Sequence, residues 1–421
     1  MTPKYIPRIA DATLKEALST SGAVLIEGPK WCGKTWTANH AAASVLYLQD
    51  PDKTSSYLQI ADTKPSLLLA GETPRLIDEW QMAPVLWDAV RFSVDQRQKT
   101  GQFILTGSAS PQDNLVQHTG TGRISRIFMR PMSLFESGES DGSVSLSSLF
   151  AGNTNISGIS SLDIRQLAFA IARGGWPASV TGSEKTALKR AVDYTEAVIN
   201  YDISKVDGVE KNPMRVRALL RSLARNAGTM ATIATIKSDM ATDEESISEK
   251  TISGYINALK RIFVIEEQPA WSPALRSRTA IRTSSKRHFV DPSIAAAVLR
   301  ATPKRLLEDF NTFGILFESL CIRDLRIYAS AIDGEVFHYH DRNDLEADAI
   351  IQLRDGRWGA VEVKLGSRSI DEAAKNLQKL QSKINAEKMY EPSFLLVLTG
   401  GEFAYRRDDG VYVVPIGCLK D

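Results

Sequence analysis

Residues 24–27, Val-Leu-Ile-Glu, run directly into Gly28-Pro-Lys-Trp-Cys-Gly-Lys-Thr35. This G-x-x-x-x-G-K-T spacing leaves little choice of fold. It predicts a buried strand, a tight loop and a helix whose N-terminus faces back over the loop, so that backbone N–H groups can cradle phosphates. Lys34 would reach the β- and γ-phosphates, and the Thr35 hydroxyl would bind Mg²⁺. The nucleotide-binding run is Gly28, Pro29, Lys30, Trp31, Cys32, Gly33, Lys34, Thr35 and Trp36. Cys32 lies beside two lysines near a helix N-terminus, where thiolates are favoured; it also fits as a small packing residue. ATP with Mg²⁺ is the expected ligand, because no Asn-Lys-x-Asp segment for reading guanine is evident.

A chain of 421 residues has room for roughly two to four domains. Its formal net charge of +1 means that any basic, nucleic-acid-facing surface must be local. No apolar stretch approaches the ~18 residues needed to cross a bilayer. The first residues are polar and broken by Pro3 and Pro7, unlike a secretory leader. Cys32, Cys321 and Cys418 lack metal spacing. A cytoplasmic location without a membrane partner is the expectation.

Short apolar runs alternate with helical patterns up to about residue 135, as in an α/β layer fold. Strands are expected at 24–27, 45–48, 76–77 and 103–108, and a helix at 36–43. Residues 137–161 are rich in Ser and Gly and read as a loop. Helical periodicity covers 162–200, broken by Gly174-Gly-Trp-Pro177, and then 213–228 and 233–258. The β-rich run 262–267 follows, giving the helix-then-ribbon order of a winged helix. The last part is α/β again, with strands at 334–340, 347–353, 359–364 and 394–398 and a helix at 371–386.

Asp78-Glu79 after Leu76-Ile77 matches a Walker B acidic pair. Asp78 would hold Mg²⁺, and Glu79 would position and polarise the attacking water. Thr106 and Ser108 end a strand expected to lie beside the other two, where a polar side chain could orient that water or simply cap the strand. Arg123, after Gly122, is the candidate cation for the γ-phosphate, in cis or from a neighbouring subunit.

These segments, with Arg130-Pro-Met-Ser-Leu-Phe-Glu136, Gly174-Gly-Trp-Pro177, Thr251-Ile-Ser-Gly-Tyr-Ile-Asn-Ala-Leu259 and Phe289-Val-Asp-Pro292, resemble prokaryotic AAA-type ATPases with a C-terminal domain of unknown function, class 4143. The likeness spans nearly the whole chain. It implies an α/β protein with a P-loop AAA+-like ATPase core, a helical and winged-helix middle, and a restriction-nuclease-like C-terminal domain. The expected divisions are the core at 1–136, the loop at 137–161, a helical lid or linker at 162–204, the winged-helix-like part at 205–300 and the nuclease-like part at 301–421.

Within that last part, Glu318 falls on a helical stretch, Asp348 opens a strand and Glu362-Val-Lys364 ends another. This order resembles the PD-(D/E)XK nuclease pattern. Period-two alternation puts Glu362 and Lys364 on one strand face. Asp348 and Glu362 would chelate Mg²⁺, Lys364 would position the nucleophile, and Glu318 would complete the set. Ordinary ion pairing is the alternative.

Arg276, Arg278, Arg282, Lys286 and Arg287 fall in a stretch with no acidic residue between Glu267 and Asp291. Arg215, Arg217, Arg221 and Arg225 form a second series with several members on one helix face. Both could meet phosphates or be solvated surface charge. The partner expected is nucleic acid, DNA favoured over RNA; a protein partner and a homo-oligomer are further expectations.

Overall fold

The computed structural model describes residues 5–109, 119–241, 247–273, 284–384 and 389–421. The chain divides into two compact units. One contains 1–131, 200–211 and 256–264; the other contains 132–199, 212–255 and 265–421.

The first unit is built on five strands: β1 (Ala23–Glu27), β2 (Ser44–Tyr47), β3 (Arg75–Asp78), β4 (Phe103–Gly107) and β5 (Ile124–Phe128). They are ordered β2-β3-β4-β1-β5 and every pairing is parallel. A parallel sheet covered on both faces needs continuously apolar strands, which is what Val-Leu-Ile and Phe-Ile-Leu supply. Leu25, Leu46, Ile77, Phe103 and Leu105 pack with Trp80, Trp87 and Val90 in one core. Parallel strands also bring all their C-terminal ends to one edge. The segments after β1, β3, β4 and β5 therefore converge there, with β4 between β1 and β3 as expected.

The second unit holds a mixed seven-stranded sheet, β10-β11-β12-β13-β15-β14-β7. Its strands are β7 (Gly158–Ile159), β10 (Gly334–His340), β11 (Glu346–Leu353), β12 (Trp358–Lys364), β13 (Phe394–Thr399), β14 (Phe403–Arg406) and β15 (Tyr412–Pro415). The parallel β12–β13 pair is joined through the helix Ile370–Lys383, whose Leu377 and Leu380 pack against Ile350, Trp358 and Val397. The helix Phe310–Ser330 lies against β10, β11 and β12. A separate antiparallel ribbon pairs β8 (Ile265–Gln268) with β9 (Lys286–Phe289), placing Gln268 opposite Lys286.

The expected loop at 137–161 is instead a set of short elements. It contains β6 (Val144–Ser145), the helix Leu146–Phe150 and β7. β6 pairs with β16 (Leu419–Lys420), and β7 pairs with β14. Its few apolar residues decide this, since Val144, Leu146, Leu149 and Phe150 are buried. Burial of a large apolar side chain contributes about 1.5–3 kcal/mol, enough to order a Ser-rich segment.

Arg130–Glu136, Gly174–Pro177 and Phe289–Pro292 meet around one buried arginine. Arg323 Nη1 donates to Asp291 Oδ2 at 2.8 Å, and its Nη2 lies 2.7 Å from Asp324 Oδ1. Asp291 also accepts from the Gly175 N–H and the Ser293 hydroxyl, while Asp324 accepts from the Leu134 N–H. Gly174 has φ +75°, and a β-carbon there would stand 2.4 Å from Ser293 Oγ and 2.5 Å from Asp291 Oδ1. These residues are structural: they hold two buried carboxylates against a buried guanidinium.

Candidate active site

The loop after β1 is shaped by residues with unusual backbones. Gly28 has φ +152°, and a β-carbon there would lie 2.1 Å from the Met129 carbonyl oxygen. Gly33 (φ +104°) caps the helix Lys34–Ala41. Lys34 is buried, and its ammonium curls into the loop, donating to the carbonyls of Gly28 at 2.9 Å and Pro29 at 2.7 Å. Cys32 is buried against the Met129 carbonyl, which gives it a packing role. Trp31 and Trp36 are both half exposed. Lys30 reaches Asp202 at 2.7 Å.

The acidic pair at the end of β3 is held by a polar network. Asp78 is fully buried; its Oδ1 accepts from Thr35 Oγ1 at 2.8 Å and Thr106 Oγ1 at 2.6 Å, and its Oδ2 accepts from Gln49 Nε2 at 3.1 Å. Glu79 adopts a left-handed backbone, φ 56° and ψ 49°, a conformation that costs a non-glycine residue on the order of 1–3 kcal/mol. Its N–H donates to Thr106 Oγ1 at 3.1 Å, and its carboxylate accepts from Ser108 Oγ at 2.9 Å and from Gln81 Nε2. These bonds offset the strain and hold the carboxylate beside Ser108 and Gln81.

Arg123 requires a correction. Ala23 pairs with Ile124 in the β1–β5 register, so Arg123 precedes β5, at the opposite end of the strands from the loop after Glu27. Five strand residues span about 17 Å. Arg123 is also paired with Asp95 at 2.8 Å. It cannot reach the phosphate loop of its own chain.

Two contributors were not foreseen. Arg8 is buried and donates to the carbonyls of Cys32 and Arg130, each at 2.8 Å, bracing the loop from beneath. Gln49 joins Asp78 from the turn after β2. No local motif marks either residue; only the fold brings them there.

An AAA domain model matches residues 20–137, the span that carries this constellation. That match to an AAA domain supports nucleotide binding by this part of the chain. Beyond it, models of two domains of unknown function, DUF8612 and DUF4143, match residues 164–305 and 313–419. The expected likeness to class 4143 is thus met at the C-terminal end. Uncharacterized proteins Mb2031c of Mycobacterium bovis and Rv2008c of Mycobacterium tuberculosis are each 25% identical over 422 residues, covering 97% of this chain and 83% of theirs. A Walker-type ATPase of Pyrococcus abyssi, PABY2304, aligns at 14% identity with a TM-score of 0.41, covering 70% of this chain and 96% of that one. Among the described residues, no helix is long and apolar enough to cross a membrane.

The second unit gathers the other expected residues. Asp348 on β11 accepts from the Val363 N–H at 2.8 Å; Glu362 on β12 accepts from Lys364 Nζ at 2.9 Å and Asn376 Nδ2 at 2.6 Å. Lys364 lies 4.0 Å from Asp348. Glu318 joins from its helix, with Oε1 enclosed and, among the described residues, without a hydrogen-bond partner. Burial, then the charge of Asp348, pushes Glu318 up to about 8 and Glu362 up to about 7. Burial opposes the charge of Lys364, but Asp348 and Glu362 outweigh it and raise its pKa.

Lys286 also enters this cluster. Expected in a basic surface stretch, it is buried instead, 3.8 Å from Glu318 Oε1 and 3.9 Å from Asp348 Oδ1. Among the described residues, no group of three or more His, Cys, Asp or Glu side chains is arranged to hold a metal ion. With both lysines in place the carboxylates meet as an ion-pair network, Lys286 beside Glu318 and Asp348 and Lys364 beside Glu362; their oxygens are of the kind a hard divalent ion takes.

Arg276, Arg278 and Arg282 lie outside the described residues. Arg287 donates to the Ala231 carbonyl at 2.6 Å. On the helix Pro213–Arg225, Arg217 is paired with Glu196 and Arg225 with Asp239. Those two cations are therefore already neutralised.

Proposed function

We propose that the chain hydrolyses ATP at the loop 28–35 and uses the cycle to act on nucleic acid through its second unit. The observation that carries the ATPase reading is the single network joining Thr35, Asp78, Thr106, Glu79 and Ser108 at one sheet edge. The loop suits phosphates: among the described residues, Lys34 Nζ bonds to the loop carbonyls of Gly28 and Pro29, which it can exchange for phosphate oxygens. Thr35 and Asp78, already side by side, would hold Mg²⁺. The ion would supply charge neutralisation on the phosphates. Glu79, fixed by Ser108 and Gln81, would accept the proton of the attacking water, and Thr106 holds both acids in place.

The nucleic-acid part rests on the nuclease-like order of Glu318, Asp348, Glu362 and Lys364, with DNA favoured over RNA. The contact of Lys286 with Glu318 and Asp348 favours a second reading, an ATP-gated binding protein whose nuclease-like site is silent. A protein partner, a homo-oligomer supplying Arg123 in trans, and a cytoplasmic location belong to the same proposal.

The test compares wild type with Glu79→Gln in ATP turnover, and wild type with Asp348→Ala on labelled DNA and RNA with Mg²⁺ or Mn²⁺, with and without ATP. ATP turnover lost in the first variant and metal-dependent cleavage lost in the second support the whole proposal. Normal turnover by Glu79→Gln overturns the ATPase assignment. Binding without cleavage selects the gated binder.

A further inference from the structure

Lys286 is not part of the Thr35–Asp78–Thr106–Glu79–Ser108 network, and its surroundings are unusual for a lysine. Its side chain is 7% exposed. Among the described residues it makes no hydrogen bond, and its ammonium is directed between Glu318 and Asp348. A buried ammonium without hydrogen-bond acceptors needs compensating negative charge.

The ribbon that carries Lys286 is fastened to the strand that carries Asp348. Gln268, opposite Lys286 in the β8–β9 register, donates to the carbonyls of Asp348 and Phe337, each at 2.9 Å. Its side-chain oxygen lies 3.0 Å from His288 Nε2, and that imidazole is buried. The ammonium is therefore placed by backbone pairing and a buried polar network, not by a free side chain. A divalent ion on the same oxygens would sit about 2.1 Å from each of them, within a few ångströms of the lysine charge. Two cations cannot share that space without strong repulsion.

We propose that Lys286 is the built-in cation of this cluster, competing with divalent ions for Glu318 and Asp348, so that the cluster accepts a metal only when Lys286 is withdrawn. The proposal rests on the reading of these carboxylates as a nuclease-like cation site. It makes the ribbon β8–β9 an inhibitory element of that site.

The test is Mn²⁺ binding to the full chain without nucleotide, read from the electron paramagnetic resonance signal of free Mn²⁺. Wild type, Lys286→Met, Asp348→Asn and the double variant are compared, with thermal melting to verify folding. Lys286→Met should bind Mn²⁺ at least about tenfold more tightly than wild type, a scale typical of changes around metal sites, and Asp348→Asn should abolish the gain. If Lys286→Met fails to fold, Lys286→Gln replaces it. Wild type that already holds Mn²⁺ tightly through Asp348, with no gain in the variant, overturns the competition and leaves the cation site standing. Binding that Asp348→Asn leaves unchanged in every background overturns the cation site itself.

Discussion

The Thr106 hydroxyl serves both members of the Asp78–Glu79 pair: it donates to the Asp78 carboxylate at 2.6 Å and accepts the Glu79 N–H at 3.1 Å. One side chain on β4 thereby sets the positions of both acids. Thr106→Val keeps the shape and removes both bonds. ATP turnover should fall by about ten- to a hundredfold, the usual cost of losing an orienting partner, while the dissociation constant for a fluorescent nucleotide changes little. Thr106→Ser should restore most of the rate. Wild-type turnover in Thr106→Val, or loss in Thr106→Ser with Thr106→Val unaffected, would mean that the methyl group matters and the hydroxyl does not.

Glu79→Gln should retain nucleotide binding and lower turnover by about 10²–10⁴, the range for a positioned general base. Lys34→Ala should instead lose binding. Parallel titration and steady-state turnover separate the two; a shared phenotype would undo the division of roles.

Gly28→Ala tests the loop's shape. Its β-carbon would stand 2.1 Å from the Met129 carbonyl oxygen, and that oxygen belongs to backbone, which cannot swing away. Nucleotide binding should be lost and the melting temperature lowered. Wild-type affinity in this variant would show that the loop tolerates displacement.

Arg8→Ala removes two donors from the carbonyls of Cys32 and Arg130. Leaving such groups unpaired costs about 1–3 kcal/mol, and each 1.4 kcal/mol is about tenfold in affinity. Nucleotide affinity should weaken by about tenfold, measured by fluorescence titration. An unchanged constant would show that the loop is rigid without this brace.

The second unit should show a pH signature. Burial, with Asp348's charge, raises Glu318 from 4.5 to about 8. Between those values the folded chain keeps a proton that the unfolded chain releases. The stability contributed is full below the lower value and is lost as pH rises through the upper one. From pH ~5 to ~8 the unfolding free energy should fall through this group by at most about 4 kcal/mol, one proton at about 1.4 kcal/mol per pH unit. Urea denaturation across that range should show a flatter profile for Glu318→Gln. An unchanged slope would assign the dependence elsewhere.

The sequence was most informative where chemistry demands particular residues at adjacent positions. Gly28 through Thr35 and Asp78-Glu79 could be read directly, because phosphate cradling and water activation each need a contiguous run of types. The residues that brace them were invisible: Arg8 and Gln49 look like any surface polar residue until the fold delivers them. Composition misled at two places. Serine and glycine in 137–161 hid four apolar residues that are enough to fold it, and the basic surroundings of Lys286 hid its burial. The register of β1 with β5 decided against Arg123 in cis, and register follows from pairing partners that the local sequence does not name.

The partners of β6 and β7 lie at residues 419–420 and 403–404. On the ribosome, Val144 and Ile159 must therefore wait for almost all of the chain to emerge before their strands can pair. The sheet of β1 to β5 needs nothing beyond residue 128. Synthesis would thus present a finished nucleotide-binding sheet well before the other unit can close, leaving the latter's open edges in need of protection by chaperones during translation.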